Sequence, residues 1–181
     1  MANDTPEDDQ QNKGQNGMGR GMLYVGWLFA LAILTMFFGD FEQKQYNPNA
    51  EPQSLVDATG NREVILERNR MGHYMLTGAI NGEAVLLLLD TGATNVSIPA
   101  HIAEDLNLQK GRQYTASTAN GIVIVHSTKI DTLDLGNIRL YDVDASINPG
   151  MQTNEILLGM SALKQIEFTQ RGSTLTLKQI N

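Results

Sequence analysis

Hydrophobic and polar positions divide this chain into stretches of different character. Met1 to Arg20 is rich in Asp, Asn, Gln and Gly without apolar periodicity, so a disordered tail is expected over residues 1–20. From Met22 to Phe38 no charged residue occurs, and the run carries Leu23, Val25, Trp27, Leu28, Phe29, Leu31, Ile33, Leu34, Met36, Phe37 and Phe38. Its length is near the lower limit for a helix that crosses a bilayer. A core helix of a soluble domain would keep a polar face, whereas here only Tyr24, Thr35 and glycines break the apolar run. The long acidic segment ahead of it, and the lack of an Ala-x-Ala site after it, set it apart from a cleaved signal peptide. A transmembrane anchor is therefore predicted over residues 21–39. Residues 40–61, with Pro48, Pro52 and several Asn and Gln, read as an extended, polar linker.

From Arg62 onward the pattern becomes that of short strands. Glu63 to Arg68 alternates, and Tyr74 to Ile80 and Glu83 to Leu89 flank Asn81-Gly82, a two-residue hairpin turn. Val85 to Leu89 is an unbroken aliphatic run, the mark of a strand buried on both faces. Val96 to Ile98 is a short strand, and Pro99 suits the first turn of a helix with Ile102, Ala103 and Leu106 on its apolar side. Gln113 to Ala119 and Ile122 to Ile130 flank Asn120-Gly121 as a second hairpin. Thr132 to Leu135 and Ile138 to Ala145 flank Gly136-Asn137 as a third. Asp131, Asp134, Asp142 and Asp144 alternate with apolar residues there, as on solvated strand faces. After the break at Asn148-Pro149-Gly150 come a buried strand, Ile156 to Leu158, and a short helix, Ser161 to Gln165. A closing hairpin spans Glu167 to Lys178. The prediction is an all-β domain over residues 62–181 with one or two short helices.

Composition narrows the function classes. The 181 residues carry a net charge of −7, which argues against a nucleic-acid-binding surface. There is no cysteine, hence no disulfide and no thiolate-bound metal. His73, His101 and His126 lie far apart without ligand spacing, so neither a metal nor another cofactor is expected.

One chemical feature stands out. The aliphatic run ends in Asp90, and a lone carboxylate buried as an anion is costly without donors, a partner or a raised pKa. Thr91 adds a hydroxyl, and Gly92 removes the side chain that would block close backbone approach. The segment Asp90-Thr91-Gly92-Ala93-Thr94-Asn95-Val96-Ser97-Ile98-Pro99, followed at a distance by Ile156-Leu157-Leu158-Gly159-Met160, resembles the active-site segments of retroviral-type aspartic proteases. It is similar in particular to the membrane-anchored retropepsin-like group of bacteria. The resemblance runs from about Arg62 to the C-terminus.

The resemblance implies a single-lobe retropepsin-like barrel, closed or partly open, preceded by the transmembrane helix. It makes Asp90 the catalytic acid/base, with Thr91, Gly92, Ala93 and Thr94 forming the active loop and Leu158 and Gly159 bracing it. The hairpin tip Thr118-Ala119-Asn120-Gly121 becomes the flap over bound peptide. Thr94 stands where retroviral enzymes usually carry Asp, which removes a charge from the cleft and any ion pair it supported. The mechanism needs two carboxyl groups sharing one proton, yet the chain has a single Asp-Thr-Gly and a domain of about 120 residues, the size of one lobe. A symmetric homodimer is therefore expected to supply the second Asp90. The expected partners are a peptide or protein substrate, a second copy, and the membrane through Met22–Phe38. A weak excess of Lys and Arg before that run favours the inner membrane, with the domain in the periplasm. The competing reading is a non-catalytic module that keeps the fold to bind peptides or partners. A third is a domain released by cleavage within residues 40–61.

Overall fold

In a computed structural model, which describes residues 15–118 and 121–180, the chain divides between Glu42 and Gln43 into two units. The expected disordered tail lies largely outside the described residues. Helix α1 (Gln15–Tyr46) already begins within it. From Met22 to Phe38 the large apolar side chains are exposed on every side of the helix. Gly21–Tyr46 forms a helical stretch of 26 residues, long and apolar enough to cross a membrane. At about 1.5 Å per residue it exceeds a hydrocarbon core of about 30 Å.

The extended linker expected over residues 40–61 is not what the structure shows. Glu42-Gln43-Lys44-Gln45 are good helix formers, and α1 continues through them to Tyr46. It stops where Pro48 disfavours helical geometry at Asn47. Asn47 and Asn49 are buried. Strand β1 (Gln53–Val56) then pairs antiparallel with β2 (Arg62–Glu67). The sheet thus begins ahead of Arg62, and polar composition misled because these asparagines bond to groups on β2 and β3, Asn49 to backbone and Asn47 to the Thr77 hydroxyl.

The second unit is built from two sheets. The smaller has strand order β1-β2-β11-β10, where β10 (Glu167–Arg171) and β11 (Thr174–Gln179) form the closing hairpin. The larger contains β3 (Met75–Ile80), β4 (Glu83–Leu89), β5 (Val96–Pro99), β6 (Gln113–Thr118), β7 (Gly121–Leu135), β8 (Ile138–Asn148) and β9 (Glu155–Leu158). Its order is β3-β4-β9-β5-β8-β7-β6, and a further β3–β7 pairing at Ala79↔Asp134 and Ile80↔Leu133 closes six of the strands into a barrel-like ring. The β3–β4 turn at Asn81-Gly82 has φ of 51° and 89°, as the two-residue hairpin requires. Helix α2 (Ala100–Asp105) follows β5, with Pro99 as its cap, and helix α3 (Met160–Leu163) follows β9.

Two local expectations change. The second and third hairpins share one strand, because β7 runs 15 residues without interruption past Asp131. In addition, β4 is not buried on both faces. Val85 and Leu87 point into a core with Leu76, Ile98, Leu133, Ile156 and Leu158, whereas Leu86, Leu88 and Leu89 are half-buried. The second face lacks a full covering layer of structure, so an aliphatic run alone overstated its burial.

Lys178 near the C-terminus ties the smaller sheet together. Its Nζ lies 2.8 Å from Glu63 Oε1 and 3.1 Å from Asp57 Oδ2. Asp57 closes the β1–β2 turn, accepting from the Thr59 hydroxyl and from the Asn61 side chain. The Thr59 hydroxyl first, then Asn61 and Lys178, hold the Asp57 carboxyl well below the usual carboxylate range. Because the folded value lies below the unfolded one, this stabilisation is present above the ordinary value of 3.8 and fades as pH falls further. Asp57→Asn is therefore expected to lower the melting temperature at neutral pH, with the difference from wild type shrinking below pH 3.8. Melting curves over a pH series would show this, and an offset that did not change with pH would rule out the charge as its cause.

Candidate active site

Strand β4 delivers Asp90. The strand is held to its last residue on both sides: Leu89 N donates to Tyr74 O at 3.0 Å, and Asp90 N donates to Leu158 O at 3.1 Å. The β4–β9 pairing is parallel, with Leu87↔Ile156, Leu88↔Leu157 and Leu89↔Leu158 in register. The chain then turns sharply. Ala93 N donates to Asp90 O, and Gly92 N donates to Asp90 Oδ1 at 2.9 Å. One carboxylate oxygen is thereby oriented by a backbone donor, and the side chain is half-buried. The donor and the partial exposure together answer the electrostatic problem posed by an acid after five aliphatic residues. Thr91, Gly92 and Thr94 are exposed, and Ala93 is half-buried. A side chain at position 92 would crowd Asp90 Oδ1, at 3.1 Å from an added Cβ.

Leu158 and Gly159 lie beneath this loop. An added Cβ on Gly159 would fall 2.3 Å from Asn95 O and 2.7 Å from Ala93 O, both rigid backbone atoms. Only glycine lets β9 pass this close. The next two residues complete the contact: Met160 N donates to Ala93 O at 2.8 Å, and Ser161 N donates to Thr94 O at 2.9 Å.

Ser161 is a residue that the pattern did not single out. It is buried; its hydroxyl donates to Asp144 O at 2.6 Å and accepts from Val96 N at 2.9 Å. One side chain thus links the active loop, α3 and β8. These backbone and hydroxyl bonds hold the loop without a charge at Thr94. A serine at the start of a short helix gives no sequence signal of this role, because its partners are backbone groups 17 and 65 positions away.

The hairpin expected to serve as a flap is β6–β7. Ala119 and Asn120 at its tip lie outside the described residues. Beside the tip, Thr118 Oγ1 donates to Gly121 O at 2.8 Å, and Gly121 has φ of 114°, closed to most side chains. Pairs Ala116↔Val123 and Tyr114↔Val125 share one face, and Thr115↔Ile124 and Ser117↔Ile122 the other. The hydroxyl of Tyr114 accepts from Asn95 Nδ2 at 3.3 Å, which joins this hairpin to the loop after Asp90. Ile122 and Ile124 are 77% and 53% exposed.

A depression of about 330 Å³ lies elsewhere, between the start of β4 (Glu83–Leu86) and α2 residues such as His101 and Ile102. It does not include Asp90. Among the described residues, no group of three or more His, Asp or Glu side chains is placed to hold a metal ion.

With this geometry in hand, the likeness to known proteins can be stated. The family model described as "gag-polyprotein putative aspartyl protease" matches residues 76–165. The crystal structure of a retropepsin-like aspartic protease from Rickettsia conorii superposes with a TM-score of 0.54 at 21% identity, over 71% of this chain and 95% of that one. The EIAV protease complexed with the inhibitor HBY-793 is also 21% identical, over 53% of this chain and 89% of that one, with a TM-score of 0.43. The folded unit therefore has the retropepsin-like aspartic protease fold, and residues 76–165 match the aspartyl protease family model. An uncharacterised protein in the cobV 5′ region of Sinorhizobium sp. is 25% identical over 170 residues, 87% of this chain and 73% of that protein.

The brace under the loop makes a measurable claim. Gly159→Ala should destabilise the domain by about 3 kcal/mol, the upper end of overpacking costs, because backbone must move. Ser161→Ala leaves the buried Val96 N–H unpaired and should cost about 1–3 kcal/mol. Urea unfolding of the detergent-solubilised protein would rank them, and a neutral Gly159→Ala would contradict the packing described.

Proposed function

We propose that this chain is a membrane-anchored aspartic endopeptidase that works as a homodimer. The observation that carries the reading is the presentation of Asp90. Its backbone is pinned by β9, one carboxylate oxygen is oriented by Gly92 N–H, and the flanking Thr91 and Gly92 are exposed. A single such acid cannot both activate water and polarise a scissile carbonyl. Two can, when close like charges force them to share one proton. The charged member then takes a proton from a water held between the pair, and the neutral member donates to the carbonyl oxygen.

In this reading a two-fold axis brings Asp90 of each copy together. Thr91 interlocks the two loops, Gly92 leaves room for the substrate backbone, and Ala93 and Thr94 shape the cleft. The tips at Thr118–Gly121 close over the peptide, with Ala119 and Asn120 at their ends. Apolar substrate side chains around the cleaved bond suit a cleft with aliphatic walls. Helix α1 supplies the anchor through Met22–Phe38, in a bacterial inner membrane with the domain on the periplasmic side. The protease domain is taken to begin at Gln43, where the second unit starts.

Asp90→Asn should abolish cleavage of an apolar peptide library by the full chain, by roughly three orders of magnitude or more. Undiminished cleavage would end the protease reading. No cleavage by either protein, with peptide binding retained, would favour the non-catalytic module. The dimer makes a separate prediction. Adding an equal amount of Asp90→Asn chain to wild type should halve the activity once subunits exchange, because mixed dimers lack one acid. Activity that stays unchanged would mean that one chain suffices.

A further inference from the structure

The residues just after the anchor helix engage the strand that presents Asp90. Thr77 on β3, Leu86 on β4 and Glu155 on β9 stand in one row across the larger sheet, through the pairings Thr77↔Leu86 and Leu86↔Glu155. Side chains in register across neighbouring strands point to the same face. Two consecutive residues of the helix end take hold of the two ends of this row. The Tyr46 hydroxyl donates to the Glu155 carboxylate, and Asn47 Nδ2 donates to Thr77 Oγ1 at 3.0 Å. The row lies on the half-buried face of β4, the one that a second layer of structure leaves partly uncovered.

The hold is built in, not incidental. Asn69 Nδ2 donates to Tyr46 O at 3.0 Å. Asn49 Nδ2 donates to Met75 O at 2.6 Å and to Glu67 O at 2.9 Å, while its Oδ1 accepts from Glu67 N at 2.7 Å. Asn49 O accepts from Thr77 N at 3.2 Å. Asn47, Asn49 and Asn69 are all buried, and buried amides persist where their partners are in place. The segment therefore joins β2 of the smaller sheet to β3 and β9 of the larger one.

We propose that Tyr46 and Asn47 are positioning residues for Asp90, acting as a strap over β4. The inference rests on the protease reading above only for its effect on turnover. Leu86 is four residues before Asp90, and Glu155 is three before Leu158, whose carbonyl receives the Asp90 N–H. Fixing the row Thr77–Leu86–Glu155 fixes the register in which β4 and β9 meet, and the height at which the acid emerges. A fragment beginning at Arg62 would lack both the strap and β1, so release by cleavage after Asn49 would loosen the site and not simply free it.

The test uses the full chain in detergent micelles or nanodiscs. Tyr46→Phe keeps the ring and removes the hydroxyl, and Tyr46→Phe/Asn47→Ala removes both holds. Amide hydrogen exchange at Leu89 and Asp90 should accelerate about tenfold in the double variant and less in the single one, with β7–β8 amides such as Val143 unchanged. With an apolar peptide substrate, kcat should fall several-fold while KM holds. Glu155→Gln, which keeps an oxygen acceptor for the Tyr46 hydroxyl, should retain most of the wild-type rate. Unchanged exchange at Asp90 in both variants, or acceleration spread evenly over the domain, would overturn the proposal. If the wild-type chain cleaves no peptide at all, the protease reading fails, and the exchange measurement still decides the strap.

Discussion

The backbone of Gly159 packs directly against the carbonyls of Ala93 and Asn95, and the site depends on this contact. Two loops that end neighbouring parallel strands meet here, and Gly159 has no space for a side chain where they do. Once they meet, Met160 and Ser161 present their N–H groups to Ala93 and Thr94, and the Asp90 turn has little freedom left. The barrel around it supplies stiffness: β3 pairs with both β4 and β7, so β4 cannot shift without opening the ring. Such an arrangement stores geometry in packed backbone, which resists small displacements better than exposed side-chain contacts do.

The way the loop is held has a chemical consequence. Thr94 gives the loop after Asp90 no charge with which to bind the helix beneath it. The same task falls to backbone donors and to the buried Ser161 hydroxyl. Hydrogen bonds between neutral buried groups change little with salt or with the protonation of surface carboxylates. The loop is thus insulated from titrations elsewhere, such as that of Asp57 in the distant β1–β2 turn.

Exposure is distributed unevenly. The base of the β6–β7 hairpin is tied to the loop after Asp90 through Tyr114 and Asn95, while its outer part carries exposed Ile122 and Ile124. Segments with few buried apolar side chains open at low free energy. Val96 and Leu158, which flank the Asp90 turn, lie at the opposite end of this range, fully buried.

Much of this was legible in the sequence, and for a local reason. Hairpins at Asn81-Gly82 and Arg171-Gly172, the helix after Pro99 and the Asp90 and Gly159 loops follow from turn chemistry and short-range periodicity, which a chain carries in its own neighbours. The apolar run from Met22 to Phe38 needed no partner to be recognised. What only the tertiary structure decided were contacts between residues far apart in the chain. Residues 40–61 look polar and extended until Asn49 finds backbone partners on β2 and β3 and Asn47 finds the Thr77 hydroxyl. Val85 to Leu89 looks buried on both faces until one face meets only a strap. Ser161 looks like an ordinary helix residue until Val96 N–H and Asp144 O converge on its hydroxyl. A hydrogen bond to backbone leaves no mark on the partner's identity, so no pattern of side chains could have foretold those three.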